Sequence, residues 1–318
     1  MPRGSDLETL KASLPPEWAD VPILSYSQVM AADRCSFSWY IGYHLGLRSE
    51  KRSAARDKGS FTHALLHSMY QAVMSGIPAR DWVQDRDGLP SEVGKLLDDM
   101  KYQDQVVEIS GAMKLVERYA QTDVLAGHTA VGSEQHFFVL VTAPSGRKFI
   151  LQGYIDLITI DARGSIVVWD HKVTGRFWTP IQIMMDSQLP TYQLLLRADG
   201  IPVHSICINQ LNSYDYKDFA AQTNEKLFRR EFSFRSEVQL NSIWQEFLAL
   251  ADFVLDLYEG RQVARRSLRK DCSMCDMNGP CHDSLSGTPI DVAVREYNGQ
   301  QAWNRSIKAG ESVEILTD

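Results

Sequence analysis

Hydrophobic residues in the first 120 positions recur at helical spacing, in segments that glycine and proline separate. This periodicity predicts helices over residues 26–43, 55–74 and 91–120. Ser25-Tyr26-Ser27-Gln28 fits a capping box at the start of the first helix, because a serine and a glutamine three residues apart can each bond the other's backbone N–H. The amino-terminal part of the chain is therefore predicted to be mostly helical.

The pattern changes after residue 130, where β-branched and aromatic residues gather in short runs. Three runs, at residues 134–141, 148–160 and 166–173, predict consecutive strands joined by glycine-containing turns. The remaining elements predicted are a helix at 186–197, a strand at 203–211 and a long helix at 237–258. This order indicates the α/β class, with helices covering a central sheet.

The composition is typical of a folded protein. Among 318 residues, 33 Lys and Arg face 40 Asp and Glu, which gives a formal charge of −7, and 44% of the residues are hydrophobic. The apolar runs are far shorter than the roughly 20 residues that cross a membrane, and the first residues lack the pattern of a secretory signal. We expect a cytoplasmic protein. The sequence has no GxxxxGK[ST] phosphate loop, which argues against an ATP-driven motor.

The second and third predicted strands carry the most informative polar residues. Residues 162–164 fit a type I turn followed by a left-handed residue, and Gly164 stands where glycine is favoured. Counting outward from this turn pairs Asp156 with Asp170, and opposed Cβ atoms lie about 5 Å apart. Lys172 falls on the same face as Asp170, because side chains alternate along a strand. The hairpin thus predicts a cluster of two carboxylates and one ammonium group.

Two carboxylates this close in apolar strands are costly to bury without compensation. A divalent cation such as Mg²⁺ or Mn²⁺, which prefers oxygen ligands, would compensate them. Lys172 would then add positive charge where the transition state of phosphodiester hydrolysis gathers negative charge, and would orient the attacking water. A purely structural Asp–Lys ion pair at a sheet end is the alternative, and the hairpin alone leaves both open.

Gly153-x-x-Asp156 on one strand and Asp170-x-Lys172 on the next resemble motifs of the PD-(D/E)XK nuclease superfamily, specifically of its RecB-like branch. Three further motifs of that branch occur in its order within residues 25–285. They are Gly59-x-x-x-His63, Lys172-Val173-Thr174-Gly175, in which Val173 interrupts the usual K-T-G, and Gln188-x-x-x-Tyr192.

The resemblance implies a restriction-endonuclease-like fold, in which helices flank a mixed central sheet. It also implies a set of ligands for Mg²⁺ or Mn²⁺. Asp156 and Asp170 would bind the ion, helped by the backbone carbonyl of His171, and His63 would add a ligand or a hydrogen bond.

The same resemblance assigns roles beyond the ion. Lys172 would organise the attacking water, and Gln188 and Tyr192 would hold the hydrolysed strand. Considered alone, His63 would be read as an ordinary helix histidine and Tyr192 as a core residue. Glu134 begins a predicted strand and could approach a second ion, but a solvated strand end is the favoured interpretation.

A cluster of cysteines near the carboxyl end predicts a second metal centre. Cys272-x2-Cys275-x5-Cys281 supplies three thiolates, and a zinc site or a cubane cluster needs a fourth ligand. Cys35 is the favoured fourth ligand. Cys207 lies in an apolar strand, where a cysteine behaves as a small hydrophobic residue.

One distant amino-terminal cysteine followed by a C-x2-C-x5-C triplet resembles the iron–sulfur variant of RecB-like nucleases. That variant includes AddB-type recombination nucleases and CRISPR-associated adaptation nucleases. The resemblance implies a structural [4Fe-4S] cluster on Cys35, Cys272, Cys275 and Cys281. Spacing alone does not separate iron–sulfur from zinc, for which His282 is the competing ligand.

A basic run precedes the cysteines and contains Arg261, Arg265, Arg266, Arg269 and Lys270, with no acidic residue among positions 261–270. At helical spacing, the first, second and fourth of these would share a face. Such runs are ordinarily solvated surface, but the position beside the cysteine cluster favours contacts with nucleic-acid phosphates.

Aromatic and basic residues also follow the predicted D-x-K strand. Arg176, Phe177 and Trp178 lie close to the proposed ion in sequence, and the aromatic pair would stack unpaired bases of a single strand. Packing in the core is an equal alternative. DNA, single-stranded or with free ends, is therefore the expected partner.

The expected organisation is an irregular lead-in at 1–20, a single RecB-like nuclease domain at 21–285 and a carboxyl-terminal tail at 286–318. Within the domain we expect a helical part at about 21–125, a catalytic sheet at about 131–211, and a helix with the cysteine cluster at about 236–282. The cluster would join the amino- and carboxyl-terminal parts.

The leading hypothesis is an Mg²⁺- or Mn²⁺-dependent deoxyribonuclease, an exonuclease acting in DNA recombination, repair or phage replication. The exonuclease assignment comes from the resemblance, since the residues themselves indicate only hydrolysis. The alternative is a catalytically idle subunit that binds nucleic acid or protein in a recombination or CRISPR-type complex. A zinc-stabilised regulatory protein is a third possibility.

Overall fold

A computed structural model describes residues 15–47, 54–82, 106–198, 200–214, 217–267, 272–273 and 275–308. For residues 54–56, 106–108 and 300–308 it describes the backbone only. The predictions for residues 1–14 and 91–105 lie outside this part. The chain forms two compact units. The first comprises residues 1–47, 136–153 and 241–273, and the second comprises residues 48–135, 154–240 and 274–318.

The chain enters the first unit through a short 3-10 turn, Pro16–Trp18, and a strand, β1 (Ile23–Ser25). Helix α1 (Tyr26–Arg34) follows, and its capping box is confirmed: Ser25 Oγ accepts the Gln28 N–H at 3.2 Å, and Gln28 Oε1 accepts the Ser25 N–H at 3.4 Å. Serine and glutamine thus satisfy two amide donors at the helix start.

The single helix predicted for residues 26–43 is wrong. Cys35 adopts an extended backbone (φ −161°, ψ 102°) and separates α1 from α2 (Ser36–Trp39), after which Tyr40–His44 form a π-helical turn. The Phe37 N–H donates to the carbonyl of Arg265 at 3.0 Å instead of continuing the helical ladder. A tertiary hydrogen bond therefore overrides the local helical pattern.

In the second unit, α3 (Ala54–Met74) and α4 (Val106–Ala120) confirm the predicted helices over the described residues, and a 3-10 turn at Ala79–Asp81 lies between them. The apolar faces of these helices pack against the sheet in one hydrophobic core. Its fully buried members include Leu65, Leu115, Leu157 and Trp169. Burial of such side chains is the main stabilising term of the unit.

Within the part of the chain that the structure describes, the sheet has six strands. β2 (Thr129–Thr142), β3 (Lys148–Ile160) and β4 (Ile166–Thr174) confirm the three consecutive strands, although β2 begins five residues before its prediction. The strand order is β1-β3-β4, followed by β5 (Val203–Asn212) and β6 (Phe228–Ser233), with β2 also paired to β3.

Strand directions make this a mixed sheet. β1 is parallel to β3 and β4 is parallel to β5, whereas β3–β4 and β5–β6 are antiparallel. The long strand β3 runs through both units, and the half that carries Asp156 belongs to the second. The predicted α/β class, with helices flanking a mixed sheet, is confirmed.

The remaining helices are α5 (Pro180–Met184), α6 (Gln188–Ala198), α7 (Asn224–Leu227), α8 (Glu237–Tyr258), α9 (Asn278–Leu285) and α10 (Ile290–Lys308). Helices α6 and α8 match their predictions closely. The sequence pattern did not indicate α5, α7, α9, α10 or the short strands β1 and β6, so the segment interpreted as a tail contains helix α10. Among the described residues, no helix is both long and apolar enough to cross a membrane.

Candidate active site

The β3–β4 hairpin has the predicted register. Asp161 N–H donates to the Ser165 carbonyl at 3.0 Å, and Gly164 has the left-handed backbone (φ +81°) that glycine adopts without steric cost. Leu157 pairs with Trp169. The next position along this register sets Asp156 beside Asp170, so the local turn chemistry places two carboxylates on neighbouring strands.

Asp156 is fixed from two sides. The main-chain N–H of His171 donates to its Oδ2 at 2.6 Å, and Ser133 Oγ donates to its main-chain carbonyl at 3.1 Å. Burial raises the pKa of Asp156 to about 7, opposed by the nearby His63 and reinforced by Asp170. A carboxyl held in this way is costly to ionise unless a positive charge accompanies it.

His63 on α3 faces this carboxylate. Its Nδ1 lies 3.6 Å from Asp156 Oδ2 and 3.8 Å from Glu134 Oε1. Burial lowers the pKa of His63, but the two carboxylates raise it more strongly, to about 9. The imidazole therefore carries the positive charge that the acidic groups need when no cation is bound.

Glu134 belongs to the same cluster, where the sequence analysis favoured a solvated strand end. It lies inside β2, and its backbone is left-handed (φ +49°), which is uncommon for a residue other than glycine. The preceding Ser133 Oγ lies 3.0 Å from His67 Nδ1, besides its bond to the carbonyl of Asp156. These contacts hold the kinked backbone that directs Glu134 towards His63. Backbone strain of this kind concentrates at functional sites.

The sequence analysis favoured a solvated strand end for Glu134 because it did not reveal the kink, and a kink inside a strand changes the face on which a side chain lies. Ser-Glu-Gln beside Gly132 was the available signal, since polar residues interrupt a strand at that point. A Cβ at Gly132 would lie 2.9 Å from Cγ of Gln135, so the backbone there is crowded.

Asp170 and Lys172 lie on one face of β4. The Lys172 ammonium is 2.7 Å from Asp170 Oδ2, with 24% and 10% of the two side chains exposed. Burial lowers the pKa of Lys172, but Asp170 raises it more, so its pKa lies above the ordinary value. Lys172 therefore stays charged beside the cluster, as the D-x-K motif predicts.

The residues of the Gln-x-x-x-Tyr motif lie one turn apart on α6. Gln188 Oε1 accepts from Lys172 Nζ at 3.4 Å, and Gln188 Nε2 donates to Tyr192 Oη at 3.4 Å. Asp186 Oδ2 accepts the Leu189 N–H at 3.2 Å and so fixes the start of the helix. The motif is thus connected to β4 through Lys172.

The segment after β4 passes over the same lysine. Lys172 Nζ lies 5.4 Å from the centre of the Trp178 ring. The main-chain N–H of Trp178 donates to Gln210 Oε1 at 2.6 Å. Arg176 is exposed, and its N–H and carbonyl both bond Thr174 Oγ1, which closes the turn. The structure brings Trp178 to the site and leaves Arg176 on its solvent side.

The donor set suits a hard divalent cation. Among the described residues, one group of ligand atoms lies within 4.8 Å of one another, from His63, Glu134 and Asp156. Two carboxylates and one imidazole match the preference of Mn²⁺ and Mg²⁺ for oxygen, with one nitrogen. Asp170 stands beside this group and pairs with Lys172. The residues therefore fit a metal site.

The cysteines divide between the two units. Cys35 and Cys272 belong to the first, and Cys275 and Cys281 belong to the second. Cys35 lies at the break between α1 and α2, with its Sγ 3.7 Å from the carbonyl of Arg265. Cys207 is fully buried, as predicted, and burial raises the pKa of its thiol well above the ordinary value.

Residues 261–267 of the basic run have no regular secondary structure, so Arg261 and Arg265 do not share a helical face. Arg265 is held through its main chain, since its N–H donates to Ser36 Oγ at 2.8 Å. The Arg266 guanidinium lies 3.8 Å from the centre of the Phe37 ring, a favourable cation–π distance. Arg269 lies outside the described residues. Arg265 is therefore held through its main chain, whereas the side chain of Arg266 packs against Phe37.

Comparison with known proteins identifies the class. The family model of the PD-(D/E)XK nuclease superfamily matches residues 23–282, more than three quarters of the chain. The chain therefore belongs to this superfamily of nucleases, and the six-stranded mixed sheet of its described residues has the restriction-endonuclease-like fold expected from the motifs.

One solved structure has a similar fold. A crystal structure from Eubacterium rectale, provisionally named an exonuclease, is 13% identical, covers 82% of this chain and 93% of its own, and superposes with a TM-score of 0.54. A second structure, SSO0001, is 14% identical over 59% of this chain and 75% of its own, with a TM-score of 0.33. The curated proteins contain no match to the sequence.

Proposed function

We propose that this superfamily member is an Mg²⁺- or Mn²⁺-dependent deoxyribonuclease that acts as an exonuclease on single-stranded or end-exposed DNA. The observation that carries the proposal is the cluster of His63, Glu134 and Asp156 beside the Asp170–Lys172 pair. A buried acidic cluster with an adjacent ammonium matches the charge needs of phosphodiester hydrolysis. Recombination and repair are the expected settings.

Each side chain has a distinct role in this proposal. Asp156, Glu134 and His63 hold the ion, with Asp170 and the carbonyl of His171 as further ligands. A bound divalent ion supplies charge stabilisation and makes water more acidic. Lys172, kept protonated by Asp170, orients the attacking water and faces the phosphate. This division of roles explains why both an acidic cluster and a charged lysine are present.

The substrate strand is held by residues around the site. In this proposal Gln188 and Tyr192 orient the strand that is cut; the support is that Gln188 bonds both Lys172 and Tyr192. Trp178 offers an aromatic ring for an unpaired base, and Arg176 offers a charge for a phosphate. Further phosphate contacts come from Arg265, Arg266 and Arg269.

The decisive experiment uses 5′- and 3′-labelled DNA, single- and double-stranded, with Mg²⁺, Mn²⁺ or EDTA. Wild type is compared with Asp156→Asn and Lys172→Met. Asp291→Asn is a matched control, because Asp291 is exposed and pairs with Arg295 within one helix. We expect cleavage by wild type and the control only, with EDTA abolishing it. Cleavage by both site variants, or in EDTA, contradicts the proposal.

The alternative function is a catalytically idle subunit of a recombination or CRISPR-type complex. The direct 2.7 Å contact between Lys172 and Asp170 is compatible with this alternative, because the lysine balances the aspartate charge without a bound metal ion. This alternative predicts DNA or protein binding without metal-dependent cleavage, so the same assay distinguishes the two.

For the cysteines we propose a structural [4Fe-4S] cluster on Cys35, Cys272, Cys275 and Cys281, as in the iron–sulfur variant of the RecB-like branch. The support is the spacing of the triplet together with the distant Cys35. Protein purified without oxygen should be brown and contain about four iron atoms and four sulfides per chain. A colourless protein with one zinc would contradict the cluster and favour ligation by His282.

A further inference from the structure

A buried polar network lies behind the acidic cluster and is centred on His171. The imidazole of His171 is 3% exposed and stacks on the Tyr70 ring, with ring centres 5.4 Å apart and planes inclined by 11°. Burial and stacking together hold the imidazole ring in one plane.

Asn209 on β5 fixes which nitrogen of this ring carries the proton. Its Nδ2 lies 2.9 Å from His171 Nδ1 and donates to Tyr119 Oη at 3.0 Å. Because an amide nitrogen only donates, His171 Nδ1 is the acceptor and Nε2 carries the hydrogen. The orientation of the Asn209 amide and the tautomer of His171 therefore determine each other.

Two tyrosines complete the network. Tyr119 Oη donates to the carbonyl of Val124 at 3.1 Å and lies 3.2 Å from Tyr70 Oη, which donates to it. Burial raises the pKa of both tyrosines, so each keeps its proton and remains a donor. Tyr70 makes two contacts: its ring face stacks on His171, and its hydroxyl bonds Tyr119. The stacked rings and the hydrogen bonds therefore form one connected network.

Some buried polar atoms of this network make no hydrogen bond within the described part of the chain. Among the described side chains, His171 Nε2 and Asn209 Oδ1 are buried without a hydrogen-bond partner. A buried unsatisfied polar atom destabilises the folded state, so apolar residues would give a more stable core here. Stability alone therefore does not account for a histidine and an asparagine at these positions.

The network connects to the acidic cluster through the backbone of His171. The His171 N–H donates to Asp156 Oδ2 at 2.6 Å, and the same oxygen lies 3.6 Å from His63 Nδ1. A ring clamped between Tyr70 and Asn209 fixes the peptide that carries this N–H. The orientation of the Asp156 carboxylate is thereby fixed before a cation binds.

We infer that Asn209, with Tyr119 and Tyr70, is a positioning residue that sets the geometry of the cation site by clamping His171, and that its loss weakens cation binding. This inference rests on the proposed metal-dependent function. Partners that orient a metal ligand typically contribute 10–100-fold to metal affinity. Asn209 acts through one further residue, so we expect the low end of that range.

The test is calorimetric titration of the full chain with Mn²⁺, with Asn209→Leu compared with wild type. Asn212→Leu is the matched control, because Asn212 lies on the same strand, is also buried, and donates to the carbonyl of Lys226, away from the cluster. We expect about tenfold weaker Mn²⁺ binding for Asn209→Leu and unchanged binding for Asn212→Leu.

Each outcome separates the inference from the proposed function. Equal Mn²⁺ affinity in Asn209→Leu and wild type overturns the inference, as does an equal loss in Asn212→Leu, which would indicate a general effect of core asparagines. Wild type that binds no Mn²⁺ overturns the proposed function instead. If Asn209→Leu does not fold, Tyr119→Phe takes its place, with a loss of affinity expected and unchanged affinity as the contrary result.

Discussion

Lys172 Nζ lies 2.7 Å from Asp170 Oδ2, between side chains two residues apart on the same face of β4. Strand geometry places every second side chain on one face, so the D-x-K spacing itself brings the two charges together. Both groups are largely withdrawn from water. Neither charge can then be removed without leaving the other in a poorly solvated place.

The first prediction concerns this pair. Lys172→Met should lower the free energy of unfolding by about 1–3 kcal/mol, because Asp170 loses its counter-charge. Asp170→Asn combined with Lys172→Met should recover much of that loss, because no charge then remains unpaired. Urea unfolding of the two single variants and the double variant measures the coupling. Additive losses would show that the pair is not energetically coupled.

The second prediction concerns the left-handed backbone of Glu134. The free energy of unfolding of Glu134→Gly should exceed that of Glu134→Ala by about 1 kcal/mol, because only glycine adopts φ +49° without steric cost. Both variants should lose Mn²⁺ affinity, since each removes a carboxylate. Thermal unfolding and Mn²⁺ titration separate the two effects. Full affinity in Glu134→Ala would exclude Glu134 from the cation site.

The third prediction concerns pH. The pKa of His63 is raised from 6.5 to about 9, so without metal its stabilising contribution is full below pH 6.5 and is lost as the pH rises through about 9. The difference in unfolding free energy between wild type and His63→Gln, measured in EDTA, should shrink over that interval. A constant difference would contradict the charged His63.

Metal affinity should depend on pH in the opposite direction. A cation binds the deprotonated forms of His63 and Asp156, whose pKa values are both raised, so the apparent Mn²⁺ affinity should increase with pH up to about 9. Calorimetric titrations at several pH values measure this increase, with proton release detected from the buffer dependence of the heat. Affinity independent of pH would mean that the cation binds elsewhere.

The β3–β4 hairpin could be predicted from sequence because its determinants are local. Gly164 specifies the turn, the turn specifies the register, and the register places Asp156 beside Asp170. Glu134 could not be placed in the same way. Its direction depends on a backbone kink held by Ser133 and His67, which are contacts between distant parts of the chain.

The helices show the same division between local and distant causes. The Ser25 capping box was predictable, because both partners lie within one turn. The break at Cys35 was not, since it depends on a hydrogen bond from Phe37 to the carbonyl of Arg265. Helix α10 was not indicated in the sequence analysis, which interpreted this segment as a tail.

The fifth prediction separates two neighbouring arginines. Arg265→Ala should weaken DNA binding for every sequence and flatten its dependence on salt, with unchanged stability, because only its main chain is held in place. Arg266→Ala should in addition lower the free energy of unfolding by about 0.5–1 kcal/mol, because its guanidinium packs on Phe37. Unchanged DNA affinity in both variants would assign the run to ordinary surface.

The most direct measurement is an anomalous difference map from a crystal of the full chain soaked in Mn²⁺. A peak bonded to Asp156, with Glu134 and His63 turned towards it and Lys172 alongside, is the result that this account predicts. A map without a peak there, or with manganese bound only at other acidic residues, would contradict it.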